Sequence, residues 1–265
     1  MIRAETNTHW TLITHPDHAH LAGEFADAWG NDLFDTPAPF EPIRHAVYHH
    51  DDGWLHRDAH PSLTPSGLPE AFTRALVGAY SAFEEIDLPS YLAVRGEATA
   101  AVAAQNPLAG ILVSMHTVNL LTEQADISTI SPEHRPAHAA FVAAQQEWQA
   151  TEQAKLGLKP TVLQRGFEFL QACDNLSLIV CSGFDEPRAL RHRHPDRNGE
   201  SREILCTPAE AGGYTLTPWP LREEKVTLKL PIRRVAKNSF HDLDSYRAAF
   251  SQAHLEYRSV SLAAG

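Results

Sequence analysis

The stretch "RHAVYHHDDGW", Arg44 to Trp54, sets two imidazoles beside two carboxylates between apolar neighbours. Imidazole nitrogen and carboxylate oxygen are the ligand types that hold divalent transition ions, and the same groups move protons near neutral pH. Three more polar residues stand where a helix should be apolar. In "THPDHAHLAGEFADAWG" His18 shares a helical face with Leu21, Ala22, Phe25 and Trp29, whereas His20 points outward. In "NPLAGILVSMHTVNLL" His116 lies in line with Ala109, Leu112, Val113 and Leu120. In "GFEFLQACDNLSLIVC" Asp174 lies in line with Phe167, Leu170, Leu178 and Cys181. A carboxylate inside an apolar stripe is costly unless it is paired, hydrogen-bonded or bound to a metal.

Taken singly, each of these residues has an ordinary explanation: a histidine that packs, or an aspartate that ties helices together. Several on different helices point instead to one shared interior site, as in helical metal proteins. Neighbouring helical residues differ in direction by about 100°, so His50 and Asp51 can both lean toward one ion. His45, His49 and Asp52 form a second set on one face, with room for outer partners or a second ion. Mn, Fe, Ni and Zn all accept such mixtures, as one ion or two.

Composition excludes several functions. A formal charge of -11 argues against a nucleic-acid binder. No apolar run is long enough to cross a bilayer, and "MIRAETNTHW" carries no secretory signal. The cysteines Cys173, Cys181 and Cys206 make no CxxC pair, which favours a reducing cytoplasm over a disulfide framework. Phosphate-cradling, dinucleotide and nucleophile-elbow motifs are missing from the sequence.

The elements that must position these residues read mainly as helices. "HWTLITH" suggests a short strand, and Thr14 and Asp17 suggest the cap of a first helix ending at Gly30. A second helix is expected from about Pro42 to Asp52. Helical patterns follow at "PEAFTRALVGAYSAFEEI", "PSYLAVRGEATAAVAAQ", "NPLAGILVSMHTVNLL", "PEHRPAHAAFVAAQQEWQATEQAKLG" and "PTVLQRGFEFLQACDNLSLIVCSG". After a basic loop, "REILCTP", "GYTLTPWPL" and "EKVTLKLPI" read as strands, "LDSYRAAFSQA" as a helix and "HLEYRSVSL" as a strand. The expectation is a mainly α chain: a helical domain over residues 1–184, a loop at 185–200, and a small β-rich extension over 201–265 that could serve a homodimer contact.

The order His18, then His50-Asp51, then a distant Asp174, each on its own helix, resembles the HD-domain superfamily of metal-dependent phosphohydrolases. Gly53 matches the turn after the His-Asp pair, and His116 falls where two-metal members place further histidines. More narrowly, "PDHAHLAG", "HHDDGW", "ILVSMH", "CDNLSLIVC" and "TPWPL" are similar to a bacterial domain-of-unknown-function family, 3891. The superfamily likeness implies an HD-like helical bundle whose metal ligands are His18, His50, Asp51 and Asp174. It further implies a catalytic part for His116, with His49 and Asp52 tuning the site, and hydrolysis of a phosphorylated small molecule or nucleotide. Arg95, Lys159, Arg165 and Arg188 to Arg193 are candidate phosphate partners. Two other readings use the same residues: a diiron HD-type oxygenase, and a non-catalytic helical binding or dimerisation module with a polar core network.

Overall fold

The computed structural model describes residues 1–64, 66–73 and 88–265. The chain opens with two antiparallel strands, β1 (Ile2–Glu5) and β2 (His9–Ile13). Helix α1 (His15–Ala28) follows, its first turn capped by Thr14, which accepts from the Asp17 amide. Helix α2 (Phe40–His49) ends at His50, and a 3₁₀ turn at Asp52–Trp54 leads into the short α3 (Leu55–Ala59). After β3 (Phe72–Thr73) come the long helices α4 (Leu88–Gln105), α5 (Pro107–Thr122), α6 (Arg135–Leu156) and α7 (Pro160–Ser182). Proline in the first turn starts α5 and α7, where its missing N–H costs nothing. Gly183, with φ of 64°, ends α7 in the left-handed conformation that glycine adopts without strain.

Beyond α7 lie β4 (Arg188–Ala189), the small hairpin of β5 (His194–Pro195) and β6 (Ser201–Arg202), then β7 (Leu205–Pro208), β8 (Tyr214–Thr217) and β9 (Lys225–Ala236). Helix α8 (Leu243–Gln252) and strand β10 (Leu255–Ala264) finish the chain. Among the described residues an eight-stranded mixed sheet runs in the order β3-β1-β2-β9-β10-β8-β7-β4.

This sheet overturns the expected mainly α, HD-like bundle with a small C-terminal β extension. The chain is a substantial α/β fold. The strands from the two ends of the chain are one structure, because β2 pairs with β9 from His9–Ala236 to Leu12–Arg233. Burial alternates along β8 and parts of β9 and β10, while β2 is buried on both faces, which explains the layers. Ile2 and Ile13, with Leu230, Ile232, Val260 and Leu262, join one core with Leu21, Phe25, Leu170 and Leu176 of α1 and α7. On the other face Trp10, Leu12 and Val235 pack against Tyr246 and Phe250 of α8. Each fully buried Leu, Ile or Phe contributes about 1.5–3 kcal/mol relative to exposure, so the sheet is as much a part of the core as the helices.

The smaller departures have local causes. The second helix stops at His49, three residues short of the expected Asp52, and tightens into the 3₁₀ turn. The helix expected over "PEAFTRALVGAYSAFEEI" falls largely outside the described residues, and its Phe72–Thr73 lie in β3 beside β1. Gly53 is required by packing: a Cβ there would sit 2.6 Å from the Val94 carbonyl oxygen and 2.7 Å from the Ala98 Cβ. Its absence lets α4 close onto the turn that carries His50 and Asp51. Among the described residues no helix is long and apolar enough to cross a membrane.

Candidate metal centre

Four elements deliver the inward-facing polar residues to one place. His18 comes from the second turn of α1, His50 from the end of α2, His116 from the middle of α5 and Asp174 from the middle of α7. All four are buried, none more than 6% exposed. One ligand atom from each of His18, His50 and Asp174 lies within 4.8 Å of the others, so this group could bind a metal ion. His18 Nε2 is 2.9 Å and His50 Nε2 3.3 Å from the same oxygen, Asp174 Oδ1. Two ligand atoms each about 2.1 Å from one ion stand about 3.0 Å apart at a right angle and about 3.4 Å apart at the tetrahedral angle. The observed separations match that range.

The outer partners of the imidazoles fix which nitrogen is bare. His50 Nδ1 faces the Val47 carbonyl at 2.7 Å, and a carbonyl only accepts, so the proton is on Nδ1. His18 Nδ1 faces Ser177 Oγ at 2.7 Å; that hydroxyl donates to the His18 carbonyl at 2.8 Å and so accepts from the ring. His116 Nδ1 faces Gln171 Oε1 at 2.6 Å, while the Gln171 amide nitrogen donates to Asn119 Oδ1. In the neutral rings all three Nε2 atoms are therefore lone pairs. Two of them point at a carboxylate oxygen, an arrangement that only protons or a cation make favourable. Buried His50 Nε2 has no hydrogen-bond partner. Nδ1 anchored by an outer acceptor with Nε2 turned inward is the habit of metal-bound histidine, so the residues present fit an ion.

The electrostatics point the same way. Burial alone would lower the His50 pKa, but the carboxylates of Asp51 and Asp174 raise it to about 9. Burial would raise Asp174, yet the hydrogen bond to His18 and the neighbouring His50 hold it well below the usual carboxylate range. His116 is pushed down to about 4 by burial and stays neutral at pH 7. Its ring stands edge-on to His50, with centroids 5.2 Å apart.

The other expected site residues are not among those supplying the three converging ligand atoms. Asp51 is buried beside His50, but its Oδ1 takes a 2.5 Å hydrogen bond from Arg95 Nη1 and its Oδ2 is 3.9 Å from His50 Nε2. Arg95 holds Asp51 well below its ordinary pKa in spite of burial. His49 and Asp52 bond to each other at 2.6 Å, with side chains 37% and 44% exposed. His45 packs its ring on His49 rather than joining the cluster. Of the cations noted in the sequence, Arg165 pairs with Asp35 and Arg188 with Glu186.

Gln171 and Ser177 were not among the expected site residues, although the signal was present. They stand three positions before and three after Asp174, so all share one face of α7. The role of the Val47 carbonyl carries no side-chain signature and is visible only in the fold.

No curated protein and no solved structure matches the chain. A family model described as "Protein of unknown function (DUF3891)" matches residues 1–237, which takes in every residue of the cluster and the sheet as far as β9 and leaves out α8 and β10. The chain belongs to that family.

Proposed function

We propose that the protein is a metal-dependent hydrolase acting on a phosphorylated small molecule or nucleotide. The observation that carries this reading is the convergence of two Nε2 lone pairs and the Asp174 carboxylate, each imidazole anchored through Nδ1. His18, His50 and Asp174 would hold the ion. A divalent ion there supplies Lewis acidity and makes hydroxide available near neutral pH. His116, neutral and fixed by Gln171, stands at the edge of the cluster with Nε2 bare, placed to orient substrate or to accept a proton from the attacking water. The order of His18, His50-Asp51 and Asp174 along the chain supports kinship with the HD superfamily in the site, even though the fold around it carries a large sheet. A two-iron oxygenase is the weaker reading, because His45, His49 and Asp52 turn toward one another rather than toward a second ion.

The test is elemental analysis of protein purified without added metal, followed by assay of the loaded protein on phosphate monoesters and nucleotides with and without a chelator. About one equivalent of a transition ion, lost in Asp174→Ala and His50→Ala, together with chelator-sensitive phosphate release, is the expected result. Full metal content in both variants would sink the site assignment. Stoichiometric iron with an oxygen-dependent optical change and no phosphate release would transfer the site to oxygenation.

A further inference from the structure

The buried cation of this site is Arg95. It sits on α4 at 4% exposure, with its guanidinium carbon 5.5 Å from the Trp54 ring centroid and 5.2 Å from that of Tyr91. Nη1 donates to Asp51 Oδ1 at 2.5 Å, and Nε donates to the Tyr91 hydroxyl at 3.2 Å. A guanidinium has five N–H groups. The other three have no hydrogen-bond partner among the described residues. Buried donors are nearly always met, most of all on a charged group. Nη2 of a buried arginine, unpartnered yet not sealed off, is therefore open to an acceptor beside the ligand cluster.

The charge balance of the cluster agrees. Asp51 and Asp174 are the carboxylates, Arg95 is the fixed cation, and the histidines bound through Nε2 are neutral. Once a divalent ion is added, the buried site carries one net positive charge, which low-dielectric surroundings leave costly until an anion arrives. Asp51 cannot be counted toward neutralising the ion directly, since its Oδ1 is taken by Arg95 and it stands outside the group of converging ligand atoms. The approach of α4 at Gly53 is what allows Arg95, one residue after Val94, to reach it.

We propose that Arg95 is the oxyanion-recognising residue of the site, that Asp51 is its counter-ion rather than a metal ligand, and that the ligand is a small oxyanion held between guanidinium and ion. This inference rests on the metal reading above. A phosphate ester and a carboxylate share the chemistry, since both offer paired oxygens to the planar donor fork of arginine.

The experiment loads the full chain with Co2+, whose visible absorption reports the coordination sphere, and titrates inorganic phosphate and, separately, acetate. The wild type should load one equivalent and change spectrum saturably with phosphate. Asp51→Asn should still load Co2+. The double variant Arg95→Met/Asp51→Asn removes both charges, so neither is left stranded; it should load Co2+ but bind phosphate roughly tenfold to hundredfold more weakly. Arg95→Lys should retain part of the phosphate response. Unchanged phosphate affinity in the double variant, or loss of Co2+ from Asp51→Asn, overturns the proposal. Loading without any anion response overturns it while leaving the metal reading standing, whereas failure of the wild type to load overturns both. Acetate bound more tightly than phosphate supports the role of Arg95 and moves the substrate to the carboxylate class.

Discussion

Two groups of histidine and aspartate lie within a few residues of each other on and after α2, and they behave differently. His50 is buried, is anchored by a backbone carbonyl and aims its free nitrogen at Asp174. His49 and Asp52 are half-exposed and satisfy each other. Residue type is the same in both. What separates them is direction: at about 100° per residue, the end of α2 turns one imidazole into the helical interior and its neighbour toward water. Burial then removes solvent as a partner, so the inward group must find protons, hydrogen bonds or an ion. An outward pair needs none of these.

The largest test of this contrast is to remove one interior group. Asp174→Ala should abolish metal uptake and lower stability by about 3–5 kcal/mol, because it leaves two buried imidazoles facing an uncompensated space. Elemental analysis and chemical denaturation read the two effects. Normal metal content in that variant would place the ion elsewhere.

A second test uses pH. In the metal-free protein the neighbouring carboxylates raise His50 to about 9 against burial, from an ordinary 6.5. A proton held more tightly by the folded state stabilises it fully below about pH 6.5, and that contribution, about 3 kcal/mol, disappears as pH rises through about 9. His116 works in the opposite direction. Burial drops it to about 4, so its contribution is lost as pH falls from about 6.5 toward 4. The metal-free protein should therefore be most stable near pH 6.5, with its denaturant midpoint falling on both sides. An ion on His50 Nε2 replaces the proton and should abolish the alkaline loss. The same alkaline loss with and without saturating metal would break the link between His50 and the ion.

The contrast also shows what the amino-acid sequence could and could not reveal. The inward direction of His18, His116 and Asp174 follows from helical periodicity, since each shares a stripe with large apolar residues. The sheet was not legible in the same way. Strands β9 and β10 are recognisable by alternation, but the pairing of β2 with β9 joins residues more than 200 positions apart, and nothing local encodes such a contact. "IRAE" of β1 is half polar and short, so its membership is decided by its neighbours. The setting of Asp51 was hidden for a similar reason. Its partner Arg95 lies 44 residues away on a helix whose approach is set by Gly53.

Smaller effects should come from the groups that hold the ligands. Ser177→Ala and Gln171→Leu leave every ligand atom in place but free the Nδ1 groups of His18 and His116. Loss of such outer partners costs about tenfold to hundredfold in metal affinity. Competition with a chromogenic chelator measures this directly. Ser177→Ala should cost more than Gln171→Leu, because His18 belongs to the converging group and His116 stands at its edge. The reverse order would move His116 into the ligand set and His18 out of it.

The smallest effect is expected at the outward pair. His49→Gln and Asp52→Asn remove a hydrogen-bonded pair, but both groups are more than a third exposed, and water replaces what each loses. Such surface pairs contribute at most about 1 kcal/mol. Metal content should stay at the wild-type value and the denaturant midpoint should barely move. Asp52 also opens the 3₁₀ turn that leads to Gly53, so Asp52→Asn, which preserves shape, is the cleaner choice over alanine. If either variant lost about half of the bound metal, a second ion would have to sit on the outer face of α2. The two histidine-aspartate groups would then differ in affinity, and exposure could no longer be what separates a ligand from a bystander.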